Sequence, residues 1–254
     1  MPAKRPSRFA QTLYYPKTRQ KSVERTYLGT PSPKQYTQLM PGPCDDHVYL
    51  AKVFEQAGRY EDMVASMNSV ASFDCELSVE QRSLLVAAYS NVIGAHRASW
   101  RTICSIEQKQ ELIGPSMRLI QSYRETIEEE LTKACESILA VLEKHLIPSS
   151  VSSESLIIYH TMMANHWRYL AEITTGDRQK VNTRKSLSSY KAASDVAVSN
   201  LCPTHPLRIR LGRSLYIRYY EHLDSWGPGE TSASLYALSR QIHQPDGRAI
   251  ESCE

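Results

Sequence analysis

Between residues 45 and 243, apolar positions recur every three or four residues, the spacing of one helix face, and no strand-like alternation of any weight competes with them. The pattern predicts short helices over 45–57 and 60–72, with Gly58 between them. Then comes "LSVEQ". Ser78 followed three residues later by Gln81 is a capping box, so a helix starts there. Leu85, Ala88, Val92 and Ala95 mark its expected buried face. A long helix over about 115–145 is stopped by Pro148 and followed by the Ser-rich loop "IPSSVSSES". Leu156, Tyr159, Met163, Leu170 and Ile173 form the next apolar stripe, ended by Gly176 and Asp177. Residues 178–200 read as a helix with a weaker pattern. "CPTHP" breaks it, with Thr204 as candidate N-cap and Pro206 near the first turn of a helix running to about Asp224. "WGPGE" is a loop, and 231–243 a short final helix. The expected fold is all-α: about eight helices in an antiparallel array with short connections and no internal repeat.

The flanks read differently. Residues 1–44 hold seven prolines and no sustained apolar periodicity. They carry eight Lys/Arg against one acid, Glu24, a charge of +7, which leaves −4 for the rest of a chain whose total is +3. The expected organisation is a basic disordered tail at 1–44, an acidic helical domain at 45–243 and a disordered C-terminus at 244–254. The tail suits a solvated extension without a specific role, a contact for nucleic acid or another acidic surface, or an organelle-targeting leader.

A chain of 254 residues can bury a sizeable core. No apolar run approaches the roughly 18 residues needed to cross a bilayer, and no N-terminal segment has the apolar core of a secretory signal. No membrane partner is therefore expected, and the location is cytoplasmic or nuclear. Six cysteines at 44, 75, 104, 135, 202 and 253 are scattered, without CxxC or metal-finger spacing. They read as reduced thiols, mostly packed as small apolar groups. The eight histidines form no ligand spacing; His160 and His166 share a helix but, six apart, face different ways. Phosphate-loop, dinucleotide, zincin and nucleophile-elbow patterns are all missing. "ETIEEE" (125–130) reads as a solvated or interface face. No residue set supports an enzyme, and no metal or cofactor is expected.

Arginines on polar helix stripes are what remain. Ser90, Gly94, Arg97 and Arg101 align on one helix, and Thr161, Asn165, Arg168 and Glu172 on another, with Tyr169 beside Arg168. A guanidinium is a planar fork of donors that matches phosphate, and a phenol adds one more. Two such helices face to face would converge Arg97, Arg168 and Tyr169 on one dianion. The plainer alternative is solvated arginines, or pairing within the helix, as the i, i+4 spacing of Arg168 and Glu172 allows.

Several segments carry a resemblance: "EQAGRYEDMVASMNSV" (55–70), "ELSVEQRSLLVAAYSNVIGAHRASWRTICSIEQK" (76–109), "LEKHLIPSS" (142–150), "RYLAEITTGD" (168–177), "PTHPLR" (203–208) and "YYE" (219–221). In this order they closely resemble the 14-3-3 family, ungapped from about Val48 to Ser225 and faintly on to about Arg240. The resemblance implies an all-helical cup that dimerises through its first four helices. Each protomer then offers a groove for phosphoserine or phosphothreonine segments of client proteins, and does no chemistry. The family's phosphate pocket of two arginines and a tyrosine falls on Arg97, Arg168 and Tyr169.

The departures matter as much. The family's pocket lysine falls on Ser90, and one charge-assisted bond is worth roughly 1.5–3 kcal/mol. The groove asparagine of the seventh helix falls on Ser214, its glycine and leucine on Arg210 and Arg213, and its apolar valine on Ile217. The family's ninth helix has no counterpart before the chain ends. Arg210 and Arg213 either replace the lost lysine and favour acidic clients, or reflect drift in a copy no longer held to the groove. The inter-protomer arginine–glutamate pair falls on Arg59 and Glu130; a second pair falls on Asp62 and Thr126, where the base is lost. Ser99 matches an interface serine whose phosphorylation weakens some family dimers, and is otherwise a small packing residue. The implied function is a dimeric adaptor for phosphorylated clients. The alternative is a groove-impaired paralogue that acts through homo- or heterodimerisation with 14-3-3-like proteins, independently of phosphate.

Overall fold

The computed structural model describes residues 43–109, 115–226 and 229–243. The expectations for residues 1–42 and 244–254 lie outside them. Among the described residues eight α-helices follow one another: α1 Pro43–Gln56, α2 Tyr60–Ala71, α3 Val79–Lys109, α4 Pro115–Val141, α5 Ser153–Ile173, α6 Gly176–Asn200, α7 Pro206–Trp226 and α8 Glu230–His243. A π-helical turn, Leu142–Leu146, carries α4 on towards Pro148. The described residues hold no strand, and no described helix is long and apolar enough to cross a membrane.

Local chemistry sets the boundaries. Gly58 takes a left-handed φ of +67°, which a side chain rarely tolerates. Its N–H donates to Glu55 O at 3.1 Å and that of Arg59 to Phe54 O at 2.9 Å, the Schellman closure of α1. The capping box forms as expected: Ser78 N–H donates to Gln81 Oε1 at 2.8 Å and Gln81 N–H to Ser78 Oγ at 3.2 Å. Two boundaries shift. Left-handed Gly176 starts α6 rather than merely ending α5. Pro206 is the first residue of α7, but the carbonyl before it that accepts Ile209 N–H is that of His205, not Thr204.

The helices bury two cores. Met63, Met67, Leu85, Tyr89, Ile93, Leu131, Ile138 and Leu170 belong to the first. Tyr190, Ala193, Leu211, Leu215, Leu235 and Ile242 belong to the second. Helix α5 serves both, giving Tyr159 and Met163 to the first and Ile157 and Ala164 to the second. On α3 the buried face runs through Leu85, Tyr89 and Ile93, and Ala95 is exposed. Ten residues rotate a 3.6-residue helix to about 80° short of full turns, so Ala95 leaves the face that Leu85 occupies.

Two buried arginines tie elements together. Arg82 Nη1 donates to Leu77 O at 3.0 Å and Ser155 Oγ at 2.9 Å, while Ser155 donates to Glu76, joining α3 to the start of α5. Arg208, fully buried, donates from Nε to Ile242 O at 3.0 Å and from Nη1 to Leu201 O at 2.9 Å. It thereby satisfies carbonyls at the ends of α8 and α6. Cys135 is a packed core thiol whose pKa burial raises to about 12. The expectation of six reduced thiols fails at Cys202, which is disulfide-bonded and lies half-buried in the α6–α7 connection; Cys44, Cys75, Cys104 and Cys135 are free.

Candidate anion-binding site

Helices α3 and α5 meet across the first core, and their polar stripes face one another at its edge. Arg97 comes from α3, one turn after buried Ile93; Arg168 and Tyr169 come from α5. The Arg97 guanidinium carbon lies 3.9 Å from the Tyr169 ring centroid and that of Arg168 at 4.5 Å. The negative face of the ring thus holds two cations close together.

Glu172 orders them. Its Oε2 accepts from Arg97 Nη2 at 2.7 Å, its Oε1 accepts from Arg101 Nη2 at 3.0 Å, and Arg168 Nη1 stands 3.8 Å from Oε2. The i, i+4 pair within α5 is therefore the loosest of the three, and Glu172 works mainly across to α3. Burial pushes the Glu172 carboxyl up, but the charges and hydrogen bonds of Arg97 and Arg101 outweigh it and hold the pKa below the ordinary range.

The cations are not satisfied. Arg168 Nε and Nη2 and Arg97 Nε are buried without a hydrogen-bond partner. A buried donor left unpaired costs about 1–3 kcal/mol. The Arg97 and Arg168 side chains, only 16% and 21% exposed, are held firmly in place. Guanidinium donors of this kind match an oxyanion with several acceptor oxygens.

Sequence spacing did not reveal how many other residues converge here. Tyr190 of α6 donates to Asn165 Oδ1 at 2.8 Å, and Asn165 lies one turn before Arg168. Arg218 of α7 hydrogen-bonds the Tyr190 hydroxyl. His166 packs edge-on to Tyr169, ring centroids 5.6 Å apart, and its Nδ1–H donates to Met162 O at 2.6 Å. Burial, helped by the charges of Arg168 and Arg97, pulls the His166 pKa down to about 4.

The remaining candidates are more dispersed. Ser90 is exposed, and so is Gly94 one turn further on. Ser214 is half-buried, Ile217 exposed, and Arg210 and Arg213 exposed, with no hydrogen bond or ion pair to the three socket residues among the described residues. Exposed Arg59 pairs with Asp62 of its own chain. Glu130 faces His96 at 3.4 Å, and Ser99 is exposed beside Trp100, whose Nε1 donates to Glu128. Near them Tyr49 and Val53 of α1 and Leu119 and Tyr123 of α4 are apolar yet exposed.

Residues 50–242 match the profile of the family described as 14-3-3 protein. The chain belongs to the 14-3-3 family. It is 55% identical over 183 residues to the 14-3-3 family protein artA of Aspergillus flavus, covering 71% of this chain and 77% of that one. It is 52% identical over 183 residues to the checkpoint signal transducer rad24 of Schizosaccharomyces pombe, covering 71% and 68%. Protein BMH2 of Saccharomyces cerevisiae is 52% identical over 212 residues, covering 79% and 78%. As a 14-3-3 protein the chain is a regulatory adaptor and not an enzyme. Members of the family bind phosphorylated client proteins, form dimers and are generally cytoplasmic.

Proposed function

We propose that this 14-3-3 protein binds phosphoserine or phosphothreonine segments of client proteins, with the phosphate seated on Arg97, Arg168 and Tyr169. One observation carries the reading: two guanidiniums stack on one phenol, reach a common carboxylate oxygen and still keep three buried N–H donors without acceptors. A phosphomonoester brings roughly −1.5 to −2 charge and three acceptor oxygens to those donors. Glu172 pre-orients the arginines, so little side-chain freedom is lost on binding.

Dimerisation is part of the proposal. The exposed Tyr49, Val53, Leu119 and Tyr123 give α1 and α4 an apolar surface, and Arg59 and Glu130 flank it with opposite charges. That surface also supports a second reading, in which the chain pairs with other 14-3-3-like proteins and binds few phosphopeptides itself; the neutral Ser90 favours it. A fluorescence-polarisation titration with a phosphoserine peptide and its unphosphorylated twin separates the two. The first reading requires preference for the phosphorylated peptide, and Arg168→Ala reduces its affinity about a hundredfold. Equal binding of both peptides leaves the second.

A further inference from the structure

Helix α7 turns one face to the second core, through Leu211 and Leu215, and the other to solvent. Ile209, Arg213, Tyr216 and Tyr220 stand at i, i+4, i+7 and i+11 and form one exposed stripe. The tyrosines of this stripe are locked to their neighbours. The Tyr216 and Tyr220 hydroxyls lie 3.0 Å apart, and their rings meet edge to face at 4.8 Å. Tyr220 meets Tyr219 edge to face at 5.0 Å, and Tyr219 leans on Tyr236 of α8 at 5.2 Å. Tyr219 is partly buried against the second core, which roots the row of rings in the fold. The Arg240 guanidinium carbon stands 6.0 Å from the Tyr236 ring centroid and ends the row with a cation.

Tyr216, Tyr220 and Tyr236 are all close to half exposed, so the row is an apolar surface without cover. Tyrosine and arginine are the residue types that concentrate binding energy at interfaces. Rings already fixed by one another lose little freedom when a partner settles on them. Charge selects the occupant. Arg210, Arg213 and Arg240 are exposed and make no ion pair among the described residues. From Pro206 to Tyr220 the sequence has four arginines and no acid. The chain's own residues 1–44, with a charge of +7, are repelled by such a surface. Nucleic-acid bases stack on open, parallel ring faces, and the 68° and 72° tilts between neighbouring rings break up any such platform.

We propose that the Tyr216–Tyr220–Tyr236 row, with Arg210, Arg213 and Arg240, is a second protein-docking surface. Its occupant is an acidic, unphosphorylated segment of a partner protein that carries an aromatic or aliphatic anchor. The anchor lies on the tyrosine row, and the segment's carboxylates meet the arginines. Of the paired Tyr216 and Tyr220 hydroxyls only one donates to the other, which leaves one O–H for a backbone carbonyl of the segment. The surface does not depend on phosphate binding at Arg97, Arg168 and Tyr169.

The test uses the full chain as Arg168→Ala, so that the socket contributes little, and a phage-displayed library of short random peptides. The peptides enriched are rich in Asp and Glu around a Phe, Trp or Leu. A fluorescein-labelled copy of the leading peptide loses about tenfold in affinity to Tyr216→Ser with Tyr220→Ser. It loses about fivefold to Arg210→Ser with Arg213→Ser at low salt, and less as salt is raised. Tyr236→Ser, on the other helix, gives an independent loss of about threefold. These positions are exposed, and circular dichroism checks that each variant keeps its fold. No enrichment, enrichment of peptides that are not acidic, or binding to the tyrosine variants within twofold of the parent overturns the proposal. So does a loss of self-association in the tyrosine variants by sedimentation, which assigns the surface to a second copy. Binding of an oligouridine that the same variants abolish assigns it to nucleic acid and overturns the proposal as well.

Discussion

On the α3–α5 side of the socket each cation is tied to a neighbour: Arg97 and Arg101 share Glu172 at 2.7 and 3.0 Å, and Tyr169 stacks on two guanidiniums. On the α7 side Arg210, Arg213 and Ile217 stand exposed, beside a pair of exposed tyrosines, Tyr216 and Tyr220, whose hydroxyls lie 3.0 Å apart. The contrast separates two tasks. Under the proposed phosphopeptide reading, the rigid, half-buried wall is the one that recognises the charged group any phosphopeptide brings. An exposed wall is free to change residue by residue, because its charges are screened and cost the fold little. The departures from the family pattern at 210, 213 and 214 fall on this second wall.

The α7 wall is exposed at its face but anchored at its root, and the largest expected effect breaks that anchor. Arg208→Ala removes two charge-assisted hydrogen bonds and leaves carbonyls of Leu201 and Ile242 unpaired, costing about 3–5 kcal/mol. Differential scanning calorimetry should show a melting temperature roughly 10 °C lower. Hydrogen exchange should speed up in α6–α8 before α1–α4; uniform acceleration would mean that the two halves are not separable.

His166 tests the rigid wall through pH. Its folded-state pKa of about 4 lies below the ordinary 6.5, so between these values the unfolded chain binds more protons. Stability is complete above about pH 6.5 and is lost as pH falls towards 4, by about 3 kcal/mol in all. His166→Phe should melt less steeply with acid over that window. Glu172, whose carboxyl is held low, adds a loss of the same sign at more acid pH.

A smaller effect is expected from Glu172→Gln. It keeps the shape but leaves Arg97 and Arg101 without their carboxylate, costing about 1–2 kcal/mol, or roughly 2–6 °C. Saturating phosphopeptide should restore much of the loss, because its phosphate supplies the missing negative charge. The smallest effect belongs to the exposed wall: Arg210→Ser with Arg213→Ser should change phosphopeptide affinity by less than about threefold in physiological salt. A tenfold loss there would move the recognising cations to the exposed wall and erase the contrast.

The eight helices were legible because their signals are local. A capping box, a left-handed glycine and apolar residues at i, i+3 and i+4 need no knowledge of distant partners. The socket trio was legible because the polar stripes of α3 and α5 follow from helical spacing, and the family resemblance supplied their meeting. Glu172 was misjudged in part: its i, i+4 neighbour is visible in sequence, whereas its shorter bonds cross to α3. Arg208 looked like any helical arginine, since its partners are backbone carbonyls from the ends of two other helices. Arg218 differs from Ile217 by one step on the helix wheel, and only packing decides that the arginine is half-buried and the isoleucine exposed. The exposed apolar surface on α1 and α4 also emerges only once burial is known.

The central claim is that Arg97 and Arg168 close together on one phosphate, and the side-chain Nε–H signals of arginine report it most directly. In a 15N NMR titration of the full chain, a phosphoserine peptide should shift the Nε–H signals of Arg97 and Arg168 together, in saturable fashion, while the unphosphorylated twin leaves them in place. Arg97→Lys and Arg168→Lys supply the assignments. If the phosphopeptide binds and neither signal moves, the phosphate sits elsewhere on the protein and the account is contradicted.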